Sequence, residues 1–465
     1  MSASSAALFD LEKELARCSR CGACRTVCPV FGESLNEAMV ARGRIELLRA
    51  FLAGRLRPTR QLAQYLNSCV KCLRCASVCP SRVEFARIAE AVRDRISSEV
   101  GVPMLARLGI DVLTPNRPLL DFAMRVARLF QKVVPPGEGL PIRHLPMMLY
   151  SVRRIPRLSP RPILHRARIG LAGARQPLGP EKAPLTVAFF VGCLQNYVFT
   201  DAAEAAIDLL ARTGVRVVVP AGQLCCGTPA LSVGAVRVAR RLARANLAQF
   251  EAAKADAVVV ACATCGSALK NEYPHLLGDE GRRWAERTYD LSEFLTRFPV
   301  RALTPTPLPV GEGPGARQPD AGACEAGAGQ DAESRGAVSY HDPCHLRWVQ
   351  GVYQEPRELL KRSGPYEELA DAERCCGLGG VFALFYPTLS EAIARRKLAG
   401  LRALEAKTVA TGCPGCRLQL EALVGKEGLP IRVRMLAEVL RDRLPKAQPE
   451  SEPSPLPSPT GRGMG

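Results

Sequence analysis

The chain has 465 residues, of which 47% are hydrophobic and 5% aromatic, and its formal net charge at pH 7 is +18. A chain of this length is expected to form two to four domains, each able to bury its own core. No stretch of about 18 uninterrupted apolar residues occurs, so the composition argues against a membrane-spanning helix.

The chain contains nineteen cysteines, and their pattern indicates metal ligands rather than disulfides. Their number is odd, many are spaced C-x2-C, and the first ten residues lack the apolar core of a secretory signal peptide. Disulfide scaffolds are typical of short secreted chains, not of long ones. We therefore expect a cytoplasmic protein.

Two cysteine runs near the N-terminus share the spacing C-x2-C-x2-C-x3-C-P. They consist of Cys18, Cys21, Cys24 and Cys28, and of Cys69, Cys72, Cys75 and Cys79. In bacterial two-cluster ferredoxins this spacing holds two [4Fe–4S] clusters, and the fourth cysteine of each run completes the other cluster. The predicted ligands are Cys18, Cys21, Cys24 and Cys79 for cluster A, and Cys69, Cys72, Cys75 and Cys28 for cluster B. Structural zinc is the alternative, although a four-ligand zinc site needs no third cysteine at the next x2 step.

Helical periodicity surrounds the two runs. It predicts a short helix that ends at residue 17 and further helices over 34–56, 61–67 and 83–100. Residues 1–100 are therefore expected to form an α-helical two-cluster ferredoxin-type module, called the ferredoxin module below.

Residues 101–184 are predicted to be a basic connector rich in proline and arginine. Residues 101–180 contain thirteen lysines and arginines against three acids, a balance that suits an acidic partner protein or an anionic membrane surface. Few aromatic residues are present for base stacking, which argues against nucleic acid. An amphipathic helix is predicted over 119–134, and we expect it to pack on the following domain, with interfacial membrane contact as the alternative.

From residue 185 the periodicity changes to alternating strands and helices. Strands are predicted over 186–192, 215–219, 257–261, 338–341 and 408–411, and helices over 201–212, 235–254, 356–363 and 390–406. Residues 302–336, which include Cys324, and residues 446–465 are of low complexity and are expected to be a disordered linker and tail. The sequence thus predicts two α/β domains, at 185–301 and 337–445, in an α+β multidomain protein.

Five cysteines recur in both α/β domains at nearly equal spacing around a Cys-Cys-Gly (CCG) motif. They are Cys193, Cys225, Cys226, Cys262 and Cys265 in the first domain, and Cys344, Cys375, Cys376, Cys413 and Cys416 in the second. Several follow predicted strands, and ligand sites of open α/β sheets collect at the carboxyl ends of strands. Five sulfurs exceed the need of a tetrahedral zinc or a cubane. We therefore expect a non-cubane iron–sulfur cluster, or a cubane with one uncommitted cysteine; zinc in each half is the alternative.

Three polar residues flank Cys344, and two roles are open for them. His341, Asp342 and His345 either relay protons or, as we expect, donate and accept hydrogen bonds around the metal site. No phosphate-binding loop, catalytic serine motif or flavin fingerprint occurs in the sequence. No catalytic residue is therefore predicted.

Together these motifs resemble the iron–sulfur subunit of glycolate oxidase. The resemblance lies in the two-cluster module, the Ala41-Arg-Gly-Arg-Ile45 segment, both CCG repeats and the segment Tyr340-His-Asp-Pro-Cys-His-Leu346. In that family a partner flavoprotein oxidises glycolate or D-lactate, and this subunit carries the electrons toward membrane quinone. The CCG domains are also similar to the catalytic subunit of heterodisulfide reductase, whose repeats hold non-cubane clusters, and to the C subunit of anaerobic glycerol-3-phosphate dehydrogenase.

The resemblance implies an iron–sulfur electron-transfer subunit of a 2-hydroxy acid dehydrogenase complex. Its cofactors would be two [4Fe–4S] clusters and one or two further clusters in the CCG domains, and its location the inner face of the cytoplasmic membrane. The alternatives are a glycerol-3-phosphate dehydrogenase subunit or a heterodisulfide-reductase-like thiol/disulfide enzyme. A zinc-dependent structural or nucleic-acid-binding protein is favoured only by the charge.

Overall fold

Helices dominate the N-terminal module in the computed structural model, which describes residues 11–100, 107–133, 156–169, 178, 183–298 and 336–444. The helices of this module are α1 (Leu11–Ala16), α2 (Ala23–Val27), α3 (Pro29–Ser34), α4 (Ala41–Leu52), α5 (Arg60–Asn67), α6 (Arg74–Ser77) and α7 (Phe85–Val100). Their apolar sides form one core in which Ile45 and Leu48 of α4 meet Leu66 and Ile88. An α-helical module therefore surrounds both cysteine runs.

The predicted single helix over 34–56 is wrong in its first part. After α3 the chain turns at Leu35, whose φ is +49°, and a 3-10 turn over Glu37–Met39 precedes α4. The turn lies so close to α4 that a Cβ on Gly43 would come within 1.8 Å of the Glu37 carbonyl oxygen. Only glycine fits there, and this contact folds the first cysteine run back onto α4.

The first α/β domain is a parallel four-stranded sheet in the order β2-β1-β3-β4. Its strands are β1 (Thr186–Phe190), β2 (Arg216–Val218), β3 (Ala257–Val260) and β4 (Thr288–Asp290). Its helices are α10 (Cys193–Tyr197), α11 (Thr200–Ala211), α12 (Thr228–Ser232), α13 (Val236–Ala252), α14 (Ala263–Ser267), α15 (Tyr273–Leu277), α16 (Asp279–Ala285) and α17 (Leu291–Arg297). Strand β4 was not predicted, because no cysteine motif follows it to mark the end of a strand.

The second α/β domain repeats this plan with a parallel three-stranded sheet in the order β5-β6-β7. Its strands are β5 (Val338–His341), β6 (Thr408–Thr411) and β7 (Arg432–Met435), the last of which was not predicted. Its helices are α18 (Cys344–Gln350), α19 (Glu355–Ser363), α20 (Phe382–Phe385), α21 (Pro387–Arg395), α22 (Leu398–Ala403), α23 (Pro414–Lys426) and α24 (Leu436–Arg443). The predicted helix over 390–406 is instead two helices, α21 and α22.

A buried lysine makes hydrogen bonds at the break between α21 and α22. Lys397 lies at the break and is 2% exposed. Its Nζ donates hydrogen bonds to the carbonyl oxygens of Asp371, Ala372 and Arg374 at 2.9, 3.4 and 3.3 Å. These bonds tie the helix break to the loop that carries Cys375 and Cys376.

The described part of the connector contains two α-helices, α8 (Arg117–Val133) and α9 (Ile163–Ile169), and a π-helical turn over Gly109–Leu113. Helix α8 contacts the first α/β domain through its polar side: Arg117 Nη1 donates to the Gln223 carbonyl oxygen at 3.2 Å, and Asp121 accepts from the Tyr197 hydroxyl at 2.6 Å. The expectation of packing is therefore met, but the apolar side of α8 does not make the contact. The predicted linker 302–336, with Cys324, and the tail 446–465 lie almost wholly outside the described residues.

The two α/β domains meet with the carboxyl ends of their strands facing each other. The backbone N–H of Ala263 donates to the carbonyl oxygen of Gly412 at 3.0 Å, and one hydrophobic core contains Val260 and Cys262 of the first domain with Leu346 and Val409 of the second. The site-bearing edges of both sheets are therefore buried together. Within the described ranges, no helix has both the length and the apolar character needed to cross a membrane.

Candidate metal centres

The four cysteines predicted for cluster A line one cavity of the ferredoxin module. They are Cys18, Cys21, Cys24 and Cys79. Cys75 lines the same cavity, and Ile45, Val83 and Phe85 close it on the apolar side. Cys21 is exposed, so this cavity lies at the surface.

Both cysteine runs adopt the same unusual backbone. The residue before the second cysteine has a positive φ in each run, +59° at Arg20 and +54° at Lys71. The residue after that cysteine is also left-handed, +84° at Gly22 and +56° at Leu73. Such conformations cost about 1–3 kcal/mol each for residues other than glycine and cluster at functional sites. Here they wind each loop around its sulfurs, and the Lys71 N–H donates to Cys69 Sγ at 3.4 Å.

The cysteines predicted for cluster B lie close together beside buried cations. Cys28, Cys72 and Cys75 are within electrostatic reach of one another, and Cys69 lies beside Arg44 and Arg93. Burial acts to raise the pKa of Cys69, yet the two guanidinium groups and the Lys71 N–H outweigh it, so the pKa is lowered. This favours the thiolate, which is the form that binds metal.

Arg44 belongs to the Ala41–Ile45 segment, and the structure shows what its side chain does. It is 2% exposed, and its guanidinium donates to the carbonyl oxygens of Tyr65 and Ser68 at 2.9 and 2.8 Å. These bonds hold the end of α5 and thereby the start of the second cysteine run. Arg93 and Lys397, also buried beside cysteines, carried no signal in the sequence.

The ten cysteines of the CCG repeats form a continuous series of neighbouring thiols, called the thiol row below, in which Cys376 and Cys416 are hydrogen-bonded with their Sγ atoms 3.4 Å apart. In spatial order the row consists of Cys193, Cys225, Cys226, Cys265, Cys262, Cys413, Cys416, Cys376, Cys375 and Cys344. Five cysteines of each repeat are brought together, as the first and second CCG sites. The link between the sites is the contact of Cys262 with Cys413, which the sequence did not indicate.

Neighbouring thiols favour the thiolate form at two positions of the thiol row. The adjacent Cys262 and Cys416 hold the pKa of Cys413 well below its usual value. The adjacent Cys375 and Cys416 lower the pKa of Cys376 to about 5. Because metal ions bind the thiolate form, the thiol row favours soft metals, which prefer thiolate ligands.

Each double cysteine is followed by a glycine with positive φ, +93° at Gly227 and +90° at Gly377. The two glycines differ in their surroundings. A Cβ on Gly377 would meet the Ser390 carbonyl oxygen at 2.4 Å, whereas the nearest atom at Gly227 is 3.5 Å away. The second CCG loop therefore lies directly against α21.

We expect Gly377→Ala to destabilise the protein more than Gly227→Ala. Both changes force alanine into a left-handed conformation, which costs about 1–2 kcal/mol, but only Gly377→Ala adds a backbone clash. Thermal unfolding of both variants, with iron content measured on the same samples, checks this. Equal losses of stability would show that the contact with α21 is not rigid.

The second cysteine run also contacts the second CCG site. Cys72 is 8% exposed and packs in a small core with Cys344, Cys375 and Phe382. Burial raises the pKa of Cys72 well above its usual value, and the nearby Cys375 and Cys344 raise it further. Cluster B and the second CCG site are therefore neighbours.

His345 stands at the junction of all three domains. Its Nε2 lies 2.9 Å from the Lys71 carbonyl oxygen, and its Nδ1 lies 3.1 Å from Thr264 Oγ1. Asp342 is buried and accepts from Arg347 at 2.6 Å and Arg357 at 2.8 Å. Both residues therefore make hydrogen bonds beside the site, as we expected for them.

The donor sets fit iron–sulfur clusters. Each predicted ligand group contains at least four cysteines, and soft thiolate ligands select iron–sulfur centres, zinc or Cu(I). The cup-shaped runs and the apolar walls around them are features by which proteins hold such clusters and limit the access of water.

Comparison with known proteins agrees with this chemistry. Residues 187–270 and 338–421 match the family described as cysteine-rich domain (CCG), and residues 14–83 match the 4Fe-4S dicluster domain. A probable glycolate oxidase iron-sulfur subunit of Bacillus subtilis (strain 168) is 32% identical over 444 residues, which cover 92% of this chain and 94% of the relative.

Two further relatives cover different shares of the chain. An uncharacterized iron-sulfur protein of Methanocaldococcus jannaschii is 28% identical over 88% of this chain and 68% of its own length. Lactate utilization protein A of Geobacillus kaustophilus is 33% identical over 56% of this chain and 100% of its own length. The two-cluster module, the two CCG repeats and the nearly full-length match to the Bacillus protein lead to one assignment. The chain belongs to the family of glycolate oxidase iron–sulfur subunits.

Proposed function

We propose that this iron–sulfur electron-transfer subunit serves a 2-hydroxy acid dehydrogenase complex, accepting electrons from a flavoprotein partner and delivering them to quinone. The observation that carries the proposal is the continuous succession of cysteine sites from Cys21 at one surface to Cys193 at the other. The glycolate oxidase and lactate utilization relatives support a substrate of the glycolate or lactate class.

We assign the ligands as the motifs predict. Cys18, Cys21, Cys24 and Cys79 hold cluster A, and Cys69, Cys72, Cys75 and Cys28 hold cluster B. The first and second CCG sites hold further iron–sulfur centres, for which five cysteines each favour a non-cubane form. When bound, such clusters accept and release single electrons at potentials set by their surroundings.

The chain itself orders and shields these sites. Cys24 and Cys75 bring the sites of clusters A and B together, Cys72 adjoins Cys344 and Cys375, and Cys262 contacts Cys413. The order is therefore cluster A, cluster B, second CCG site, first CCG site. Most of these cysteines are buried or half-buried, while Cys21 and Cys193 at the two ends are exposed. A partner can reach the route at either end.

Oxidation of a 2-hydroxy acid requires a two-electron acceptor, and cofactors carry such chemistry. The sequence contains no flavin or nicotinamide motif, and we therefore place this step on the partner. The purified chain alone should oxidise neither glycolate nor D-lactate with an artificial dye, whereas co-expression with the flavoprotein should restore activity. Turnover of either acid by the isolated chain would refute the assignment as a carrier subunit.

Helix α8 supports peripheral attachment to a membrane. Its apolar side points away from the described protein, with Phe122, Leu129 and Phe130 exposed by 62%, 60% and 67%. Arg125 on its flank is exposed, and the surrounding segment is strongly basic. A helix that packs with its polar side and exposes its aromatic side suits an anionic lipid interface.

The position of α8 relates the membrane to the electron route. Tyr197, whose hydroxyl donates to Asp121, ends the helix that begins at Cys193. Arg117 binds the carbonyl oxygen of Gln223, two residues before Cys225. The exposed end of the thiol row therefore lies beside the proposed membrane face, and we assign quinone reduction to that end and the flavoprotein to the cluster A end.

The double variant Phe122→Gln/Phe130→Gln should lose membrane binding. Burying one Phe side chain contributes about 1.5–3 kcal/mol, so losing both should weaken binding at least about tenfold. Flotation with vesicles of equal parts phosphatidylcholine and phosphatidylglycerol measures this. Leu35→Gln, a change at an apolar residue that is 77% exposed in the ferredoxin module, is the control. No binding by the unmodified protein, or equal binding by the double variant, would contradict the proposal.

A further inference from the structure

The two CCG sites differ in a buried aromatic residue beside their cysteines. Three residues before the first cysteine of each repeat, the first domain has Phe190 and the second has His341. Both residues end the strand that precedes the first cysteine of the repeat, β1 or β5, and both are 0% exposed. Their strand partners, Val260 and Thr411, are equivalent as well. The repeat therefore places an imidazole where its counterpart has a phenyl ring.

The His341 ring lies in the second CCG site. A ring nitrogen and the Sγ atoms of Cys376 and Cys416 all lie within 4.8 Å of one another, and the two sulfurs are 3.4 Å apart. Neither ring nitrogen makes a hydrogen bond of normal geometry in the part of the chain that the structure describes, and the polar group nearest to making one is the backbone carbonyl of Ala372. Buried polar groups without partners are rare and unfavourable. We therefore expect a ligand to satisfy one of the ring nitrogens of His341.

The neighbouring polar groups do not satisfy this ring. Lys397 lies near the same cysteines, but its Nζ donates to three backbone carbonyl groups. His345 has both nitrogens engaged, by Thr264 and Lys71. Ligands of a tetrahedral metal at about 2.0–2.3 Å lie about 3.3–3.8 Å apart, a spacing that the three atoms reach with little movement.

We propose that His341 supplies a nitrogen ligand to the metal centre of the second CCG site, together with Cys376 and Cys416, whereas the first CCG site is held by sulfur alone. The inference rests on the proposed function in one respect, that the second site holds iron. Replacing thiolate ligands by imidazole ligands makes the potential of an iron–sulfur centre more positive. The two adjacent sites are therefore unequal in potential, although their cysteines repeat in the same order.

The test is spectroscopic and uses the full chain reconstituted with ⁵⁷Fe and labelled with ¹⁵N-histidine. Pulsed EPR of the reduced protein should show a histidine nitrogen coupled to an iron centre, and the coupling should disappear in His341→Phe. Mössbauer spectra, which detect every iron regardless of spin, should show a changed environment for a subset of iron in the same variant. Where one of the other cysteines of the site takes the vacated position, a thiolate replaces the imidazole, and the midpoint potential of that centre should become more negative.

Two variants control for indirect effects. His165→Gln changes an exposed histidine of α9, and His345→Gln changes the buried histidine at the domain junction; both should keep the nitrogen coupling. Phenylalanine is already the residue at the equivalent buried position of the first repeat, so His341→Phe is compatible with this fold. Circular dichroism of each variant verifies folding.

The outcomes separate the inference from the proposed function. Unchanged Mössbauer spectra and no histidine coupling, with iron still lost on Cys376→Ser, would overturn the nitrogen ligand and leave the proposed function intact. A weak coupling that reflects only a hydrogen bond to sulfur, with an unchanged iron environment in His341→Phe, would also overturn it. No iron loss on Cys376→Ser would overturn both, because the second site would then hold no iron.

Discussion

Replacement of Cys72 by serine is expected to stop quinone reduction by the assembled complex while substrate still reduces the flavin at the normal rate. Cys72 is assigned to cluster B and is the residue of that site that contacts Cys344 and Cys375 of the second CCG site. Serine cannot replace the thiolate ligand, so about four of the roughly eight irons of the ferredoxin module should be lost. Stopped-flow absorbance of the flavin, together with steady-state quinone reduction, separates the two half-reactions.

Cys324→Ala is the matched control for this variant. Cys324 lies outside the described residues and belongs to no assigned site, so the change should alter neither iron content nor either half-reaction. Cys21→Ser provides a second comparison, since it should remove cluster A and leave cluster B partly intact. Quinone reduction at the normal rate by the Cys72→Ser complex would mean that electrons bypass cluster B, and the proposed order of sites would be wrong.

A large loss of stability is expected from Lys71→Met. Lys71 is 6% exposed, and its Nζ lies 2.7 Å from Glu90 of the ferredoxin module and 3.7 Å from Glu272 of the first α/β domain. Removing one partner of a buried ion pair costs about 3–5 kcal/mol, because it leaves the other charge buried and unpaired. Chemical denaturation should show this loss, and limited proteolysis should show the ferredoxin module released from the α/β domains.

The loss of stability in Lys71→Met should depend on pH in a defined direction. Burial raises the pKa of Glu272 to about 7, even with Lys71 opposing it. A carboxyl group with a raised folded pKa loses stability progressively from its ordinary pKa of 4.5 up to its folded pKa, and the loss is constant above that. Lys71 lowers the pKa of Glu272, so its removal raises this pKa further, and the additional loss of stability in the variant develops above about pH 7. The Lys71→Met deficit should therefore shrink between about pH 8 and about pH 6.

Two comparisons make this prediction specific to the buried charge. The double variant Lys71→Met/Glu272→Gln should regain part of the lost stability, because it removes one of the unpaired carboxylates. Arg282→Met, which breaks an exposed pair with Asp279, should change the free energy of unfolding by at most about 1 kcal/mol. If Lys71→Met were as mild as Arg282→Met, Lys71 would not connect the domains.

Much of the molecule could be predicted from local sequence. The spacing of the two cysteine runs predicted a helical module around them, and the repeated five-cysteine pattern predicted two α/β domains. The strands over 338–341 and 408–411 lie where the periodicity placed them. These features are local, because side-chain spacing along a strand, a helix or a ligand loop is set by neighbours in the chain.

Other elements were missed or misjudged for equally physical reasons. Strands β4 and β7 were missed because neither is followed by a cysteine motif, the feature that marks the ends of β1, β3, β5 and β6. The predicted helix over 34–56 breaks because the 3-10 turn at Glu37 packs against Gly43, and the helix over 390–406 breaks where Lys397 turns inward to carbonyl groups. In each case a tertiary contact overrides helical periodicity.

Only the tertiary structure decided how the sites relate to one another. The spacing of cysteines could group ligands within a run or a repeat, but it could not show that Cys72 meets the second CCG site or that Cys262 contacts Cys413. Nor could it show that α8 presents its polar side to the protein, or that His341 lies beside Cys376 and Cys416. Sequence by itself predicted which cysteines can share a metal site, because thiolate spacing within a loop is a local property. The order of the sites depends on domain packing between residues far apart in the chain, which local spacing does not encode.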